Sequence, residues 1–368
     1  MKVKKSKAGE IDYILFYTIF LLVAIGVVMV YSASSYTALV NQASHDSTLF
    51  LKKQALCALI GALIMFFAIK IDYHIFRKWC GWIMLATFAC LILVLIVGVE
   101  VKGAKRWIRI AGQQFQPSEL AKYAIVIFLA VVIEKNINKI SEPKFVIFRL
   151  LLISGLFSGL VLMEKNLSIA SVILMVTLII LYVAGIPKKF FYTLLGCGAI
   201  FGGLGIALES YRLKRFLTFL HPFQDPSGDG YQLIQSFYAL GAGGITGLGL
   251  GQSRQKTLYM PEPHNDFIFS IIGEELGLIG CIILIILFIV LIYRGILISM
   301  KAKDTLGSLV AIGITSVIAI QAIINIAVVT GSMPVTGVPL PFISYGGTSL
   351  IVNMGAMGVL LNISRQTK

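Results

Sequence analysis

Residues 281–292 read Cys281-Ile282-Ile283-Leu284-Ile285-Ile286-Leu287-Phe288-Ile289-Val290-Leu291-Ile292, a run of apolar side chains with nothing polar between them. The run does not alternate at period two, so it is neither a half-wet strand nor a strand of a transmembrane barrel. With the residues before it, the window 266–293 is long enough to cross a hydrocarbon core as a helix, which takes about 20 residues. Working outward in both directions, similar windows lie near 12–34, 51–70, 79–98, 117–134, 146–163, 167–186, 190–208, 307–330 and 346–363. The expectation is an all-α polytopic membrane protein of about ten transmembrane helices, one domain spanning residues 1–368.

Composition agrees. Of the 368 residues 58% are hydrophobic and 13% charged, where a soluble domain carries about 25% charged residues. Mean hydropathy is +0.90. A water-soluble enzyme is excluded. The formal charge of +14 comes from 31 Lys and Arg against 17 Asp and Glu. These cations sit mostly between apolar windows, which reads as membrane topology and attraction to anionic membrane lipids, with no nucleic acid partner.

The opening Met1-Lys2-Val3-Lys4-Lys5-Ser6-Lys7 resembles the basic start of a signal peptide. The apolar stretch behind it is too long and lacks a small-residue cleavage site, so the first span is expected to be retained with a cytoplasmic N-terminus. An even number of spans places the C-terminus in the cytoplasm too. Eighteen of the 31 basic residues then fall on the cytoplasmic side, as the positive-inside tendency requires. The five cysteines lie within or at the edge of apolar runs with no CxxC pair and no His cluster, so they read as small embedded hydrophobes.

Two outer segments break the charge pattern. One holds Lys102, Lys105, Arg106 and Arg109 within eight positions, around Trp107. The other, 209–265, is a large extracytoplasmic loop between spans seven and eight, and loops of that length are more often functional than not. Ionisable residues at membrane depth or its edge are functional candidates. Glu119 and Lys122 share one helical face at the outer end of span four, either as a buried ion pair or as a pair lining a substrate groove. Asp266 opens span eight, where it could cap the helix. Gly273 and Gly277, seven and eleven residues further on, fall within about 20° of it on a helical wheel, a stripe that admits another helix or a ligand. Glu274 lies deeper and about 80° away, so it is expected to be paired inside the bundle.

Other candidates fail on spacing. The Gly-rich run 241–251 has no G-x-G-x-x-G match, no GK[ST] and no βαβ context, so it reads as a turn that lets backbone come close to something. His45, His74, His221 and His264 show no metal-ligand spacing, and no nucleophile motif is present. His264, beside Asp266, is read as a hydrogen-bonding neighbour.

Taken together, several blocks resemble the SEDS family. They are Pro261-Glu262-Pro263-His264-Asn265-Asp266-Phe267-Ile268-Phe269 with Gly273-Glu274-Glu275-Leu276-Gly277, and Pro334-Val335-Thr336-Gly337-Val338-Pro339-Leu340-Pro341-Phe342-Ile343-Ser344-Tyr345-Gly346-Gly347-Thr348-Ser349. Gly228-Asp229-Gly230-Tyr231-Gln232, Lys105-Arg106-Trp107-Ile108 and Gln116-Pro117-Ser118-Glu119 complete the likeness, which covers essentially the whole chain and is nearer to the FtsW/SpoVE branch than to RodA. One departure stands out: where many relatives have Pro-Asp-Leu-Gly, this chain has Lys165-Asn166-Leu167-Ser168, so a role given to that Asp does not transfer to Asn166.

The resemblance implies a ten-span, inverting peptidoglycan glycosyltransferase of the bacterial cytoplasmic membrane. It would polymerise lipid II at the outer face beside a class B penicillin-binding protein, in cell division or sporulation. Asp266 corresponds to the proposed catalytic residue, and a base there suits the acceptor hydroxyl. Lys105, Arg106 and Arg109 suit the departing pyrophosphate, Arg through its planar fork. Glu119, Lys122, His264 and Ser344 are the further candidates for holding lipid II. No cofactor is certain, no metal-ligand cluster is visible, and a divalent cation such as Mg2+ is compatible with a pyrophosphate. The alternatives are a lipid II flippase, which would place polar groups near the midplane and interrupt matching helices, and a noncatalytic scaffold for the transpeptidase.

Overall fold

The computed structural model describes residues 9–41, 46–101, 103–110, 113–207, 210–228 and 230–367. Its helices in chain order are α1 (Tyr13–Asn41), α2 (Leu49–Lys70), α3 (Phe76–Val97), α4 (Pro117–Lys135), the single turn α5 (Pro143–Phe145), α6 (Leu152–Met163) and α7 (Leu167–Val183). They continue as α8 (Lys188–Ala207), α9 (Ser210–Leu220), α10 (Tyr231–Gly243), α11 (Ile268–Lys301), α12 (Thr305–Val329) and α13 (Gly347–Ser364). A π-helical turn, Val146–Leu151, joins α5 to α6 as one apolar stretch. Among the described residues, seven helical stretches are long and apolar enough to cross a membrane, and the 17-residue α7 is a shorter apolar helix. Each of the ten sequence windows is occupied by a helix. The chain is a multi-pass helical membrane protein.

The ends of these helices follow from local chemistry. Pro117 opens α4, where its missing N–H belongs to an amide with no helical partner anyway. The Asp304 carboxylate accepts from Gly307 N at 3.0 Å to start α12, and Asn166 Oδ1 accepts from Ile169 N at 3.3 Å to start α7. Asn166 therefore caps a helix, a task an Asp at this position would also perform. α12 and α13 are the most enclosed of the long spans, with 67% and 61% of their apolar windows buried against 22% for the α3 stretch.

Contacts between loops divide the molecule into two ends. At one end Arg77 donates to Glu134 and Asp304, Tyr73 Oη donates to Asp304 at 2.6 Å, and Arg294 pairs with Asp12. Asp12 N also donates to Ser364 Oγ, and Tyr73 N to Asn362 Oδ1. These bonds tie together the start of α1, the α2–α3 and α11–α12 turns, and the ends of α4 and α13. The opposite end gathers the start of α2, the segment after α3, the α6–α7 corner, the turn before α11 and the segment 331–346.

Three expectations change. The fold is not purely helical, because the basic stretch after α3 is a small antiparallel sheet of β1 (Val99–Val101), β2 (Ala104–Ile110) and β3 (Gln113–Phe115), in that order. Val99 pairs with Trp107, and Arg109 with Gln114. The aromatic and β-branched residues Trp107, Ile108 and Ile110 are strand formers that a loop reading passes over. The 209–265 segment carries α9 and α10 in place of continuous loop. Finally, the 266–293 window is not one straight helix. α11 starts at Ile268, runs to Lys301, and is broken at Gly277 (φ 66°, ψ −167°).

That break has a partner. Leu248 N and Gly249 N donate to Glu274 O and Glu275 O, while Leu278 N and Ile279 N donate to Gly244 O and Ile245 O. The Gly-rich run thus lies against the broken helix and supplies the bonds that the break frees. A Cβ at Gly277 would fall 2.4 Å from Gly247 N and from Ile245 O, and one at Gly247 2.2 Å from Glu275 O. The close backbone approach expected of these glycines is between the two segments themselves.

Candidate active site

Asp266 lies in the turn that precedes α11, half-buried. It does not cap the helix: Phe267 holds that position, with no side-chain cap bond. Its backbone is held from α12, where Asn325 Nδ2 donates to Asp266 O and to Val338 O, each at 2.8 Å. One amide therefore clamps the Asp266 turn to the 334–346 segment. The carboxylate is directed at that segment, and a Cβ at Gly337 would stand 3.5 Å from Asp266 Oδ2. A glycine there leaves open space beside the carboxylate.

His264 packs more than it bonds. Its ring centroid is 4.5 Å from Phe50 and 5.5 Å from Tyr345, and its carbonyl accepts from Tyr345 N at 2.9 Å. Burial pushes the imidazole down to about 4 against the opposing charge of Glu262, so the ring is neutral at pH 7. Nδ1 has no hydrogen-bond partner among the described residues. Ser344 is buried and shapes its own loop, its Oγ accepting from Leu340 N at 2.8 Å, while Gln54 Nε2 donates to its carbonyl.

Lys122 Nζ donates to Glu119 Oε2 at 2.9 Å, with 0% and 2% of the two side chains exposed. This is the buried ion pair of the two alternatives, made within α4 alone. Nearby, Gln116 N donates to Thr348 Oγ1, which donates to Gln114 O, so the sheet and the start of α4 are stitched to the start of α13.

The basic cluster divides by strand alternation. Lys105 and Arg109 lie on one face of β2 and are exposed. Arg106 faces the other way and donates to Glu164 O at 3.1 Å and Lys165 O at 2.5 Å, bracing the α6–α7 corner. Lys102 lies outside the described residues. Lys165 has φ 58°, a conformation closed to proline, so a chain with Pro here must turn this corner differently. In the same corner Glu164 is 1% exposed. Burial pushes its carboxyl up to about 8, with the Ser118 hydroxyl and the Arg106 charge pulling the other way.

Sequence reasoning missed Asn325, Glu164 and the anchoring of the Gly-rich run that folds back, re-entrant, against the broken α11. Glu275 accepts from Lys256 Nζ at 2.8 Å, Ser32 Oγ at 2.7 Å and Gly251 N at 2.9 Å, and Glu274 from Arg254 N at 2.9 Å. Glu274 is buried and its carboxylate accepts from the 253–255 loop, where a partner inside the bundle was expected. Asn325 had a signal, an amide one turn after Gln321 within an apolar span. Among the described residues no three or more His, Cys, Asp or Glu side chains stand together as metal ligands.

A bundle of membrane-crossing helices, with a carboxylate on a clamped turn and a cationic strand at the same end, defines a polytopic membrane protein with a loop-built acidic site. The chain belongs to the FtsW/RodA/SpoVE family, described as cell cycle proteins, whose profile matches residues 12–368. It is 44% identical over 367 residues to stage V sporulation protein E of Bacillus subtilis strain 168, covering 99% of each chain. It is 41% identical over 362 residues to the probable peptidoglycan glycosyltransferase FtsW of Geobacter sp. strain M18, covering 97% of each. Among solved structures it resembles a chain of a peptidoglycan synthase complex that coordinates polymerization and crosslinking, with TM-score 0.79, 28% identity and coverage of 96% and 98%. It also resembles the rod shape determining protein RodA of Thermus thermophilus, with TM-score 0.71, 26% identity and coverage of 96% and 97%.

Proposed function

We propose that this chain is a peptidoglycan glycosyltransferase that polymerises lipid II at the outer face of the bacterial cytoplasmic membrane, working beside a class B penicillin-binding protein. The observation that carries the reading is Asp266, a half-buried carboxylate on a turn clamped by Asn325 and facing the open side of Gly337. The relatives' names and the synthase complex supply the activity and the kind of partner. The two-ended sorting of loop contacts supports ten crossings, with the Asp266 end outside and both chain termini inside.

In this reading Asp266 takes the proton of the acceptor hydroxyl as its oxygen attacks the donor sugar carbon. The bond from that carbon to the pyrophosphate breaks, the configuration inverts, and the pyrophosphate leaves with the electron pair. One base suffices for a direct displacement. Lys105 and Arg109, exposed on one face of β2, suit the leaving pyrophosphate. Arg106, bonded to two carbonyls, holds the sheet in place. His264, Ser344 and the Glu119–Lys122 pair act as walls of the site more than as contacts of the reacting atoms.

The test is lipid II polymerisation by the purified chain with its transpeptidase partner. Asp266→Asn should lower the rate by about 10²–10⁴-fold while membrane insertion and thermal midpoint stay unchanged. Near-normal glycan from a well-folded Asp266→Asn protein would remove the base assignment. The broken helix α11 is the feature that favours the flippase reading. Against it, the break is sealed by the 244–249 backbone. Translocation of fluorescent lipid II in vesicles, by wild type and Asp266→Asn alike, would be the flippase result.

A further inference from the structure

A cavity of about 220 Å³ lies under α9, lined by Arg215, Thr218, Phe219, Tyr231 and Gln232 among others and closed on one side by Pro261 and Val335. That volume is below the roughly 300–1,000 Å³ of drug-sized sites, and suits one sugar ring. Two of its lining residues, Pro261 and Val335, come from the segments that form the Asp266 site. Pro261 stands five residues before Asp266, and Val335 two before Gly337. Arg215 Nη1 donates to Val335 O at 3.3 Å, so α9 is fastened to the segment that faces the carboxylate.

The two faces of α9 differ in kind. Leu213, Phe216, Leu217 and Leu220 are exposed, and by the 100° helical rotation they cluster within about 60° of Leu213. Arg215, Thr218 and Phe219 lie on the opposite side, about 140–240° round, and line the cavity. A helix with exposed leucines on one face and polar residues on the other lies in a membrane interface. The cavity therefore opens where a ligand anchored in lipid can present its head group. Its lining pairs aromatic rings, Phe219 and Tyr231, with the amide of Gln232 and the hydroxyls of Thr218 and Tyr231. Ring faces cover the apolar side of a pyranose, and an amide can both donate to and accept from hydroxyls and acetamido groups.

We infer that this cavity is a binding subsite for an N-acetylated sugar ring of a lipid-linked substrate, set beside Asp266 by Pro261 and Val335. The inference rests on the glycosyltransferase reading for the identity of that substrate. Gly228, Tyr231 and Gln232, which the chemistry at Asp266 leaves without a task, become a wall of this subsite.

Two measurements on the full-length protein in detergent separate the outcomes. The first is saturation-transfer NMR with the water-soluble N-acetylglucosamine–N-acetylmuramic acid disaccharide. Wild type should show transfer, and Gln232→Ala and the cavity-filling Thr218→Trp should lose it. The second is lipid II polymerisation with the partner. Gln232→Ala should raise KM about tenfold, the loss of roughly one hydrogen bond, with kcat within about twofold. No transfer with wild type, or equal transfer and equal KM in the folded variants, overturns the subsite. Disaccharide binding that depends on Gln232, in a wild-type protein that polymerises nothing, would leave the subsite standing and overturn the enzyme reading instead.

Discussion

Glu164 occupies the corner between α6 and α7 with its carboxyl sealed from solvent, and burial pushes that carboxyl from the ordinary 4.5 up to about 8. The unfolded chain releases this proton near 4.5, whereas the folded chain keeps it. The group's contribution to stability is therefore complete below about 4.5 and is lost as pH rises through about 8. Glu164→Gln keeps the shape and removes the titration. Thermal midpoints in detergent from pH 6 to 9 should fall for wild type and stay flatter for Glu164→Gln. Parallel curves would mean that Glu164 is ionised in the folded protein. At this scale Asp266, Glu119 and Lys122 were legible in the sequence, because an ionisable residue at the edge of an apolar run stands out. Glu164 was not, because burial of a carboxyl between a sheet and a helix corner is a property of packing.

The kinked α11 and the glycine run against it form the element that most constrains this end of the molecule. Gly277 occupies φ 66°, ψ −167°, a region essentially reserved for glycine. Alanine there adds strain of about 1–3 kcal/mol and also drives a Cβ into Gly247 N and Ile245 O, both backbone atoms that cannot step aside. Gly277→Ala should therefore lower the thermal midpoint and the folded yield sharply. Gly155→Ala, in the α6 interior with nothing within 4 Å of the added Cβ, should be neutral or raise stability by up to about 1 kcal/mol through helix propensity. Comparable losses in both variants would argue against the re-entrant arrangement. The glycine stripe announced a close approach, but a helical wheel assumes an unbroken helix and so could not show where that approach breaks it.

For the molecule as a whole, the sorting of contacts into two ends predicts sidedness. A reporter fused within 212–260 should be exported, and one fused after Lys368 should remain cytoplasmic. Both reporters on one side would contradict ten crossings. The end assigned to the cytoplasm neutralises Arg77 with Glu134 and Asp304, and Arg294 with Asp12. The end assigned to the outside leaves Lys105 and Arg109 exposed on β2, against the positive-inside tendency and where an anionic head group can reach them.

What the sequence by itself determined is the place of the long apolar helices, the membrane as solvent, and the segments that carry the candidate site. Long apolar runs can satisfy their backbone in lipid only as helices, and that constraint acts on each segment separately. Only the tertiary structure decided which polar groups meet. Arg106 is turned to carbonyls of the α6–α7 corner, one amide of Asn325 clamps two loops, and α9 shares a cavity with Pro261 and Val335. These partners lie far apart along the chain, and no spacing rule connects them. Their pairing is set by which helices pack side by side and by the requirement that polar groups buried together satisfy one another.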